Sequence, residues 1–515
     1  MSSGTGYITD VSYIPGFFAN LAPTSLRYVA ALNRVSPPPA GGFRFLELGC
    51  GLGRSLTTLA AANPHGEFVG VDINPEHTAF ASNDIAAGGL SNARVITSGF
   101  DGLPGDLGRF DFIALHGVYS WVSPAVREQI HEVIRRHLAP GGLMLVSYNA
   151  LPGWAHLQPI RGILRQYAAL RQGDRILRIR EAVNYLVYIR DKHAKYFEDN
   201  PRAAAYVDSL LQMDPRYLVH EYLNEHWTSF YFAEVATAFR DAGLAFTGSM
   251  PYHTNFWDLC VRPEFQELFR TTSDRLVTEA HKDFCANTAF RWDVFCREPQ
   301  PLAGLDDRLR AADDFQFFIP AQHPQLPFQA NLGVVTTTLH GPVYQGLIDL
   351  LKDGSRRLGE ILAAPALAGV PRDELAKIVD VGVALGLVGL SAGPLGPTPE
   401  ALPERLVVPC RFNRALLAAC GLTGQTLTLA STRTGTGHSI GDFEAVLVHE
   451  MLERGREGAA ERLDGRLQTS GRTVQRDGKP VSDAAERRKI IDDRIAEVQR
   501  TMLPQLLRLG IVAPG

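Results

Sequence analysis

Short apolar runs recur through the first 150 residues, each closed by glycine, acid or serine: Phe43–Leu48, Glu67–Val71, Val95–Thr97, Phe112–Leu115 and Leu143–Ser147. Runs this short and this apolar read as strands buried on both faces, and helical patterns separate them. The first such helix starts at Ser55, and Leu138-Ala139-Pro140-Gly141-Gly142 ends another, because proline and glycine stop helices. Alternation of this kind predicts an α/β domain with a parallel, doubly wound sheet. Phe232–Leu244 is an amphipathic helix, followed by Ala245–Ser249 and Phe256–Val261, two strand-like runs around a turn. They predict a helix and antiparallel hairpin that close the sheet. Between the fifth strand and this unit lie three charged helical patterns, Ile160–Leu170, Ile176–Ala194 and Pro201–Met213, which read as an insertion.

Pro299, Pro301, Pro320, Pro324 and Pro327 mark a linker. Three helical patterns follow, Val343–Leu351, Arg357–Ala363 and Arg372–Leu385, then a strand at Leu387–Leu390, an order resembling a winged helix. The last region begins at Arg405; in it Gly465–Val481 reads as a mobile polar loop and Glu486–Met502 as a charged helix that Pro504 ends or kinks. The expected divisions are a core over 1–155, an insertion over 156–225 and a closing unit over 226–265. A middle region and linker over 266–330, a winged-helix-like domain over 331–400 and a terminal domain over 401–515 complete them.

A chain of 515 residues, 45% hydrophobic, can bury several cores. Its net charge of −4 gives no general attraction to nucleic acid. The third helix of the winged-helix pattern agrees, since Arg372 and Lys377 face Asp373, Glu374 and Asp380. Six cysteines without a CxxC pair, no signal-peptide pattern and no apolar run of about 18 residues point to reduced thiols, no membrane insertion and a cytoplasmic location.

The chemistry starts at residues 45–54, Phe-Leu-Glu-Leu-Gly-Cys-Gly-Leu-Gly-Arg. Gly49, Gly51 and Gly53 let the turn after the first strand adopt conformations closed to side chains and let a ligand touch backbone. A dinucleotide fingerprint needs a further glycine where Arg54 stands, so NADH is not expected to bind. Glu47 suits an ammonium group. Glu-x-Gly-x-Gly-x-Gly resembles motif I of class I S-adenosylmethionine methyltransferases. Asp72, after the second strand, is placed to accept from ribose hydroxyls. The adenine-binding acid common in these enzymes is replaced by Ser98-Gly99-Phe100, so adenine would rest on backbone and Phe100. The expected cofactor residues are Glu47, Gly49, Cys50, Gly51, Gly53, Asp72, Ile73, Gly99, Phe100, His116 and Gly117; no metal is expected.

After the fourth and fifth strands come His116-Gly117-Val118-Tyr119-Ser120-Trp121-Val122 and Ser147-Tyr148-Asn149-Ala150-Leu151-Pro152-Gly153-Trp154. Tyr119, Trp121, Tyr148 and Trp154 read as an aromatic wall for an alkylammonium or sulfonium group; the alternative is that they pack loops against the core. These loops, with His220–Leu244, Asn287–Arg297, Phe412–Gly421 and Thr428–Gly437, resemble bacterial class I methyltransferases with a methyltransferase regulatory domain. That group includes protein-lysine methyltransferases acting on outer-membrane proteins. The resemblance implies a Rossmann-like core with a seven-stranded sheet, a helical dimerisation insertion, α+β and winged-helix carboxyl-terminal domains, a protein substrate and a homodimer. Tyr13-Ile14-Pro15-Gly16-Phe17-Phe18 departs from the segment associated with the lysine enzymes, and Arg291-Trp292-Asp293 replaces Arg-Arg-Asp. The expected function is S-adenosylmethionine-dependent methylation of lysine amines of a protein. The alternatives are a small-molecule N- or O-methyltransferase and a non-catalytic S-adenosylmethionine-binding regulator.

Overall fold

The computed structural model describes residues 8, 10, 11, 13–320, 324–455, 457–476 and 479–515. Its centre is a seven-stranded sheet with strand order β3-β2-β1-β4-β5-β7-β6. The strands are β1 (Arg44–Leu48), β2 (Glu67–Asp72), β3 (Ala93–Thr97), β4 (Phe110–Leu115), β5 (Leu138–Asn149), β6 (Leu244–Met250) and β7 (Phe290–Arg297). The first five are parallel, and β7 inserts antiparallel between β5 and β6. The strand order reverses between β1 and β4 and opens a crevice at their carboxyl ends, as a doubly wound sheet requires.

Two readings of the closing unit change. Phe256–Val261 is not a strand: it holds a short helix, Trp257–Cys260, after a tight turn at Tyr252–Asn255. The partner of β6 is Phe290–Arg297, so the sheet draws on a segment read from sequence as middle region. Apolar content favoured the wrong run, since Phe290–Arg297 carries Arg291, Asp293 and Arg297; the choice rests on β7 fitting beside β5 over Leu143–Asn149. Nor is Gly465–Val481 a loop throughout, because the helix Ala459–Thr469 runs through Gly465 and Gln475–Arg476 pairs with Lys479–Pro480. Before Pro504 the chain makes a π-helical turn at Val498–Met502, as expected of a residue that cannot donate to the preceding turn.

Helices α1 (Pro23–Leu32) and α2 (Arg54–Ala62) cover one face of the sheet through Leu26, Val29, Leu56 and Leu59. Helices α3 (Pro75–Gly88) and α4 (Pro124–His137) complete the parallel half, with Ile130 and Ile134 of α4 on the opposite face. The insertion has its own core, built from Ile160, Leu164, Ile179, Val183, Leu186, Val207 and Leu210. Its helices are α5 (Gln158–Ala169), α6 (Arg175–Asp191), α7 (Lys195–Asp199), α8 (Pro201–Gln212) and α9 (Pro215–Tyr222); α10 (Phe232–Asp241) then returns to the sheet. The three helices Pro342–Leu351, Leu358–Leu362 and Arg372–Leu385 lead to a strand, Gly389–Ser391, that pairs with Gln316–Phe318. Tyr28 donates to Asp380 across this junction at 2.8 Å. The terminal region seats Phe412 against Gly88, where a Cβ would stand 2.7 Å from the ring. Among the described residues no helix is long and apolar enough to cross a membrane.

Candidate active site

The glycine turn has the geometry its sequence demands. Gly49, Gly51 and Gly53 all have positive φ, at +74°, +53° and +72°. A Cβ on Gly49 would lie 2.4 Å from Val118, so the turn closes directly on the loop after β4. The amides of Gly49 and Cys50 both donate to the Val71 carbonyl, and Cys50 is buried under the turn. Arg54 turns away: it pairs with Asp84 at 2.7 Å and lies over the Phe80 ring.

Asp72 organises the turn. Its Oδ2 accepts from the Gly51 amide at 2.8 Å, and its Oδ1 accepts from the Asn74 amide at 2.9 Å and meets His77 Nδ1 at 3.3 Å. Ile73 lies between these contacts, and Ser98, beside Gly99 and Phe100, donates to the Asp72 carbonyl. His116 Nδ1 meets Ser147 Oγ at 2.7 Å, and the Gly117 amide donates to the same oxygen at 3.1 Å. Burial holds the His116 pKa down at about 3, so the ring is neutral and a poor proton acceptor.

Glu47 shows which ligand the site fits. It is buried, its Oε2 has no hydrogen-bond partner, and burial followed by the nearby Asp72 charge lifts its pKa to about 8. An unpaired carboxylate here is costly, and an ammonium group such as that of a methionine moiety satisfies it. The residues therefore fit S-adenosylmethionine. A folded-state pKa above the ordinary 4.5 means the associated stability is complete below pH 4.5 and is lost as pH rises through about 8. Without cofactor, Glu47→Gln is accordingly expected to melt higher than the parent, with the gap widening from pH 6 to pH 9 in thermal scans. The same variant should bind S-adenosylmethionine more weakly. An equal melting temperature at all pH values would show that Glu47 is already satisfied.

The aromatic wall expected from Tyr119, Trp121, Tyr148 and Trp154 does not form. Tyr119 is buried on the α4 face, packed on Phe230 and Phe239, with its hydroxyl 3.1 Å from His131. Tyr148 is buried on that same face and donates to Asp293 at 2.6 Å. Trp121 is buried in the tight turn Tyr119–Trp121, and Trp154 packs into the insertion core against Trp227. The reason is the alternation of side chains along a strand. On β5 it sends Tyr148 to one face and Ser147 to the other, where His116 meets it.

On that second face stands an aromatic group of different composition. The Trp292 indole stacks on His116 at 4.2 Å and 13°, and Phe18 packs on the same imidazole at 3.9 Å. Phe290 stands 5.8 Å from Trp292. Sequence reasoning missed Phe18, Ser147, His77 and Phe290 as site residues and treated Trp292 only as a departure from a family pattern. The strand alternation of Ser147 was available as a signal; the approach of Phe18 and Trp292 was not. Phe18 arrives on an amino-terminal segment that crosses the mouth: Tyr13 N lies 3.5 Å from His77 Nε2, and the Phe18 amide donates to Ser55 Oγ. Further back the segment is tied to the insertion, where His220 Nε2 meets the Val11 carbonyl at 2.8 Å and Arg175 pairs with Asp10. Among the described residues no group of His, Cys, Asp and Glu is arranged to hold a metal.

Residues 45–142 match the family model of a methyltransferase domain, and residues 214–297 match that of a predicted methyltransferase regulatory domain. The uncharacterized protein sll1526 of Synechocystis is 28% identical over 515 residues, covering 99% of this chain and all of that one. The uncharacterized protein RP028 of Rickettsia prowazekii is 30% identical over 231 residues, 43% of this chain and 89% of its own length. PKMT2 from Rickettsia typhi, solved in complex with AdoHcy, superposes with a TM-score of 0.73 at 21% identity, over 97% of this chain and 100% of that one. At that identity the likeness establishes a shared fold.

Proposed function

As the chain belongs to the class I S-adenosylmethionine-dependent methyltransferases that carry a methyltransferase regulatory domain, we propose that it methylates lysine side-chain amines of a protein substrate. When bound, the cofactor supplies a methyl group on a sulfonium, whose S–C electron pair returns to sulfur as the acceptor's lone pair forms the new bond. What this chain must do is hold the acceptor nitrogen neutral, dry and in line. The observation that carries the reading is the stack of Phe18, neutral His116 and Trp292 at the carboxyl edge of the sheet. Its apolar faces exclude water and lower an amine's pKa, while the ring π-systems attract its alkylammonium form. The full-length likeness to PKMT2, a protein lysine methyltransferase, supports the same substrate class. We assign the cofactor to Glu47, the glycine turn and Asp72, with Gly99, Phe100, His116 and Gly117 along its far side, and extend the proposal to a cytoplasmic homodimer.

One observation favours a small-molecule acceptor instead: the amino-terminal segment lies across the mouth between Asp72's partner His77 and the insertion, which narrows access. The test is incubation with methyl-labelled S-adenosylmethionine and bacterial lysate. Label recovered as methyl-lysine in protein supports the proposal. Label confined to extractable small molecules replaces it with the alternative. Tight cofactor binding without formation of S-adenosylhomocysteine makes the protein a regulator.

A further inference from the structure

We propose that Glu221, at the end of α9, takes the proton from the acceptor amine. This rests on the amine reading above and adds the group that prepares the nucleophile. Position is the first argument. Ser147 and Asn149 share one face of β5, the face on which Ser147 meets His116. Asn149 Nδ2 reaches Glu221 Oε1 at 3.5 Å, and Trp227 Nε1 donates to the same oxygen at 3.4 Å. The Asn149 amide is held by Ser120 Oγ, and its carbonyl accepts from Phe230. The carboxyl end of β5, the loop after β4 and the chain leaving the insertion are thus laced together around this one carboxylate. Tyr13, which interacts electrostatically with Glu221, belongs to the segment whose backbone reaches His77 beside Asp72. Glu221 therefore stands where the insertion closes over the cofactor mouth.

The second argument is energetic. Glu221 is 6% exposed, yet among the described residues no cation lies within ion-pair distance of it; its bonds come from neutral donors, Asn149 and Trp227 at 3.5 and 3.4 Å and the Tyr217 hydroxyl. A carboxylate buried to hold a fold together is normally paired; this one costs stability, a pattern that marks functional groups. Its surroundings are one guanidinium and several phenols: Arg161 of α5, Tyr206 of α8, Tyr217 and Tyr222 of α9, and Tyr13. Burial is the largest influence and raises the pKa, while the bonds from Trp227 and Asn149, the Arg161 charge and the bond from Tyr217 lower it, leaving it at about 7. A group balanced there is ionised often enough to accept a proton at neutral pH and acidic enough to release it.

The protons balance. The carboxylate takes H⁺ from the acceptor ammonium, leaving a neutral amine with its lone pair; methyl transfer regenerates a cationic, methylated nitrogen. The proton on Glu221 then passes to solvent, one per methyl transferred.

The test compares the full-length protein with Glu221→Gln and Glu221→Asp. The probe is the protein fraction of a bacterial lysate freed of small molecules, with label counted as methyl-lysine between pH 6 and pH 9. The parent rate should rise with pH along a limb centred near 7. Glu221→Gln should lose about a hundredfold in kcat and lose that limb, while Glu221→Asp keeps the limb at a reduced rate. Cofactor affinity should stay within about twofold, and the nearly isosteric Gln variant should melt no lower than the parent near neutral pH. A Gln variant that keeps the limb, or loses less than about tenfold in rate, overturns the assignment and leaves the amine reading standing. If the variant loses cofactor affinity while kcat is unchanged, Glu221 is a cofactor contact and the assignment falls. If the parent protein labels no lysine, the amine reading fails and this inference with it.

Discussion

Replacing Arg291 with methionine is expected to destabilise the protein by at least about 3–5 kcal/mol. Arg291 is the centre of a buried charge cluster: it reaches Asp283 at 2.6 Å, Glu279 at 2.8 Å and Asp293 at 2.9 Å, and every side chain involved is under 10% exposed. Lys282 adds a second cation on Glu279 at 2.6 Å. Removing Arg291 leaves Asp283 and Asp293 in a dry site without the ion pair each makes with it, and the longer-range charges of Lys282 and Arg275 compensate only in part. A loss of that size corresponds to about 10 °C in melting temperature for a domain of this class. The cluster clamps the helix Arg275–Ala286 to β7 and, through Tyr148 and Asp293, to β5. It also fixes the neighbouring Trp292 on His116, so cofactor affinity should weaken in parallel. The deficit depends on pH. Burial already raises Asp283 to about 6, and losing Arg291 raises it further. A folded-state pKa above the ordinary value gives stability that is lost as pH rises, so the deficit should be larger at pH 8 than at pH 5. Equal melting curves for parent and variant would mean that the cluster is solvated.

Asp72→Ala is expected to weaken S-adenosylmethionine binding about a hundredfold in calorimetry, with the fold retained. Charge-assisted hydrogen bonds to ribose contribute roughly 1.5–3 kcal/mol each. A carboxylate offers about four acceptor sites, and three are occupied here by the Gly51 and Asn74 amides and His77. Room for ribose is therefore narrower than two free oxygens would give, and His77 must yield for a second hydroxyl to be accepted. Part of the loss comes from Gly51, whose amide would lose its anchor and let the turn relax before cofactor arrives. Asp72→Asn should fall between, because its amide oxygen can keep the Gly51 contact without the charge. An unchanged affinity in the alanine variant would place the ribose elsewhere.

Several features were legible without coordinates because they are local. Strand lengths, the three glycines at alternate positions and the acid after the second strand follow from side-chain sterics and hydrogen bonding within a few residues. β1 to β4 lie where the apolar runs indicated, β5 begins earlier, at Leu138, so that 138–142, read as a helix end, is strand, and all three glycines of the turn have positive φ. Helices α5, α6 and α8 of the insertion and the helix Arg372–Leu385 were readable for the same reason, whereas the short α7 and α9 were not. The wrong closing strand shows the limit. Phe256–Val261 is the more apolar run, but the sheet selects Phe290–Arg297, whose charged Arg291 and Asp293 are satisfied only once β7 lies between β5 and β6 beside the helix Arg275–Ala286.

The sequence by itself determined the fold class and the cofactor, since both rest on patterns that a short stretch of chain imposes on itself. Only the tertiary structure decided which aromatic rings reach the mouth. Tyr119 and Tyr148 follow the strand ends in sequence but point into the α4 face, whereas Phe18, Trp292 and Phe290 arrive from segments 98 to 176 residues away from His116 in the chain. The same holds for Glu47 and Glu221. Their carboxylates are ordinary in sequence, and folding moves them to about 8 and about 7 by removing water that no pattern of residues records.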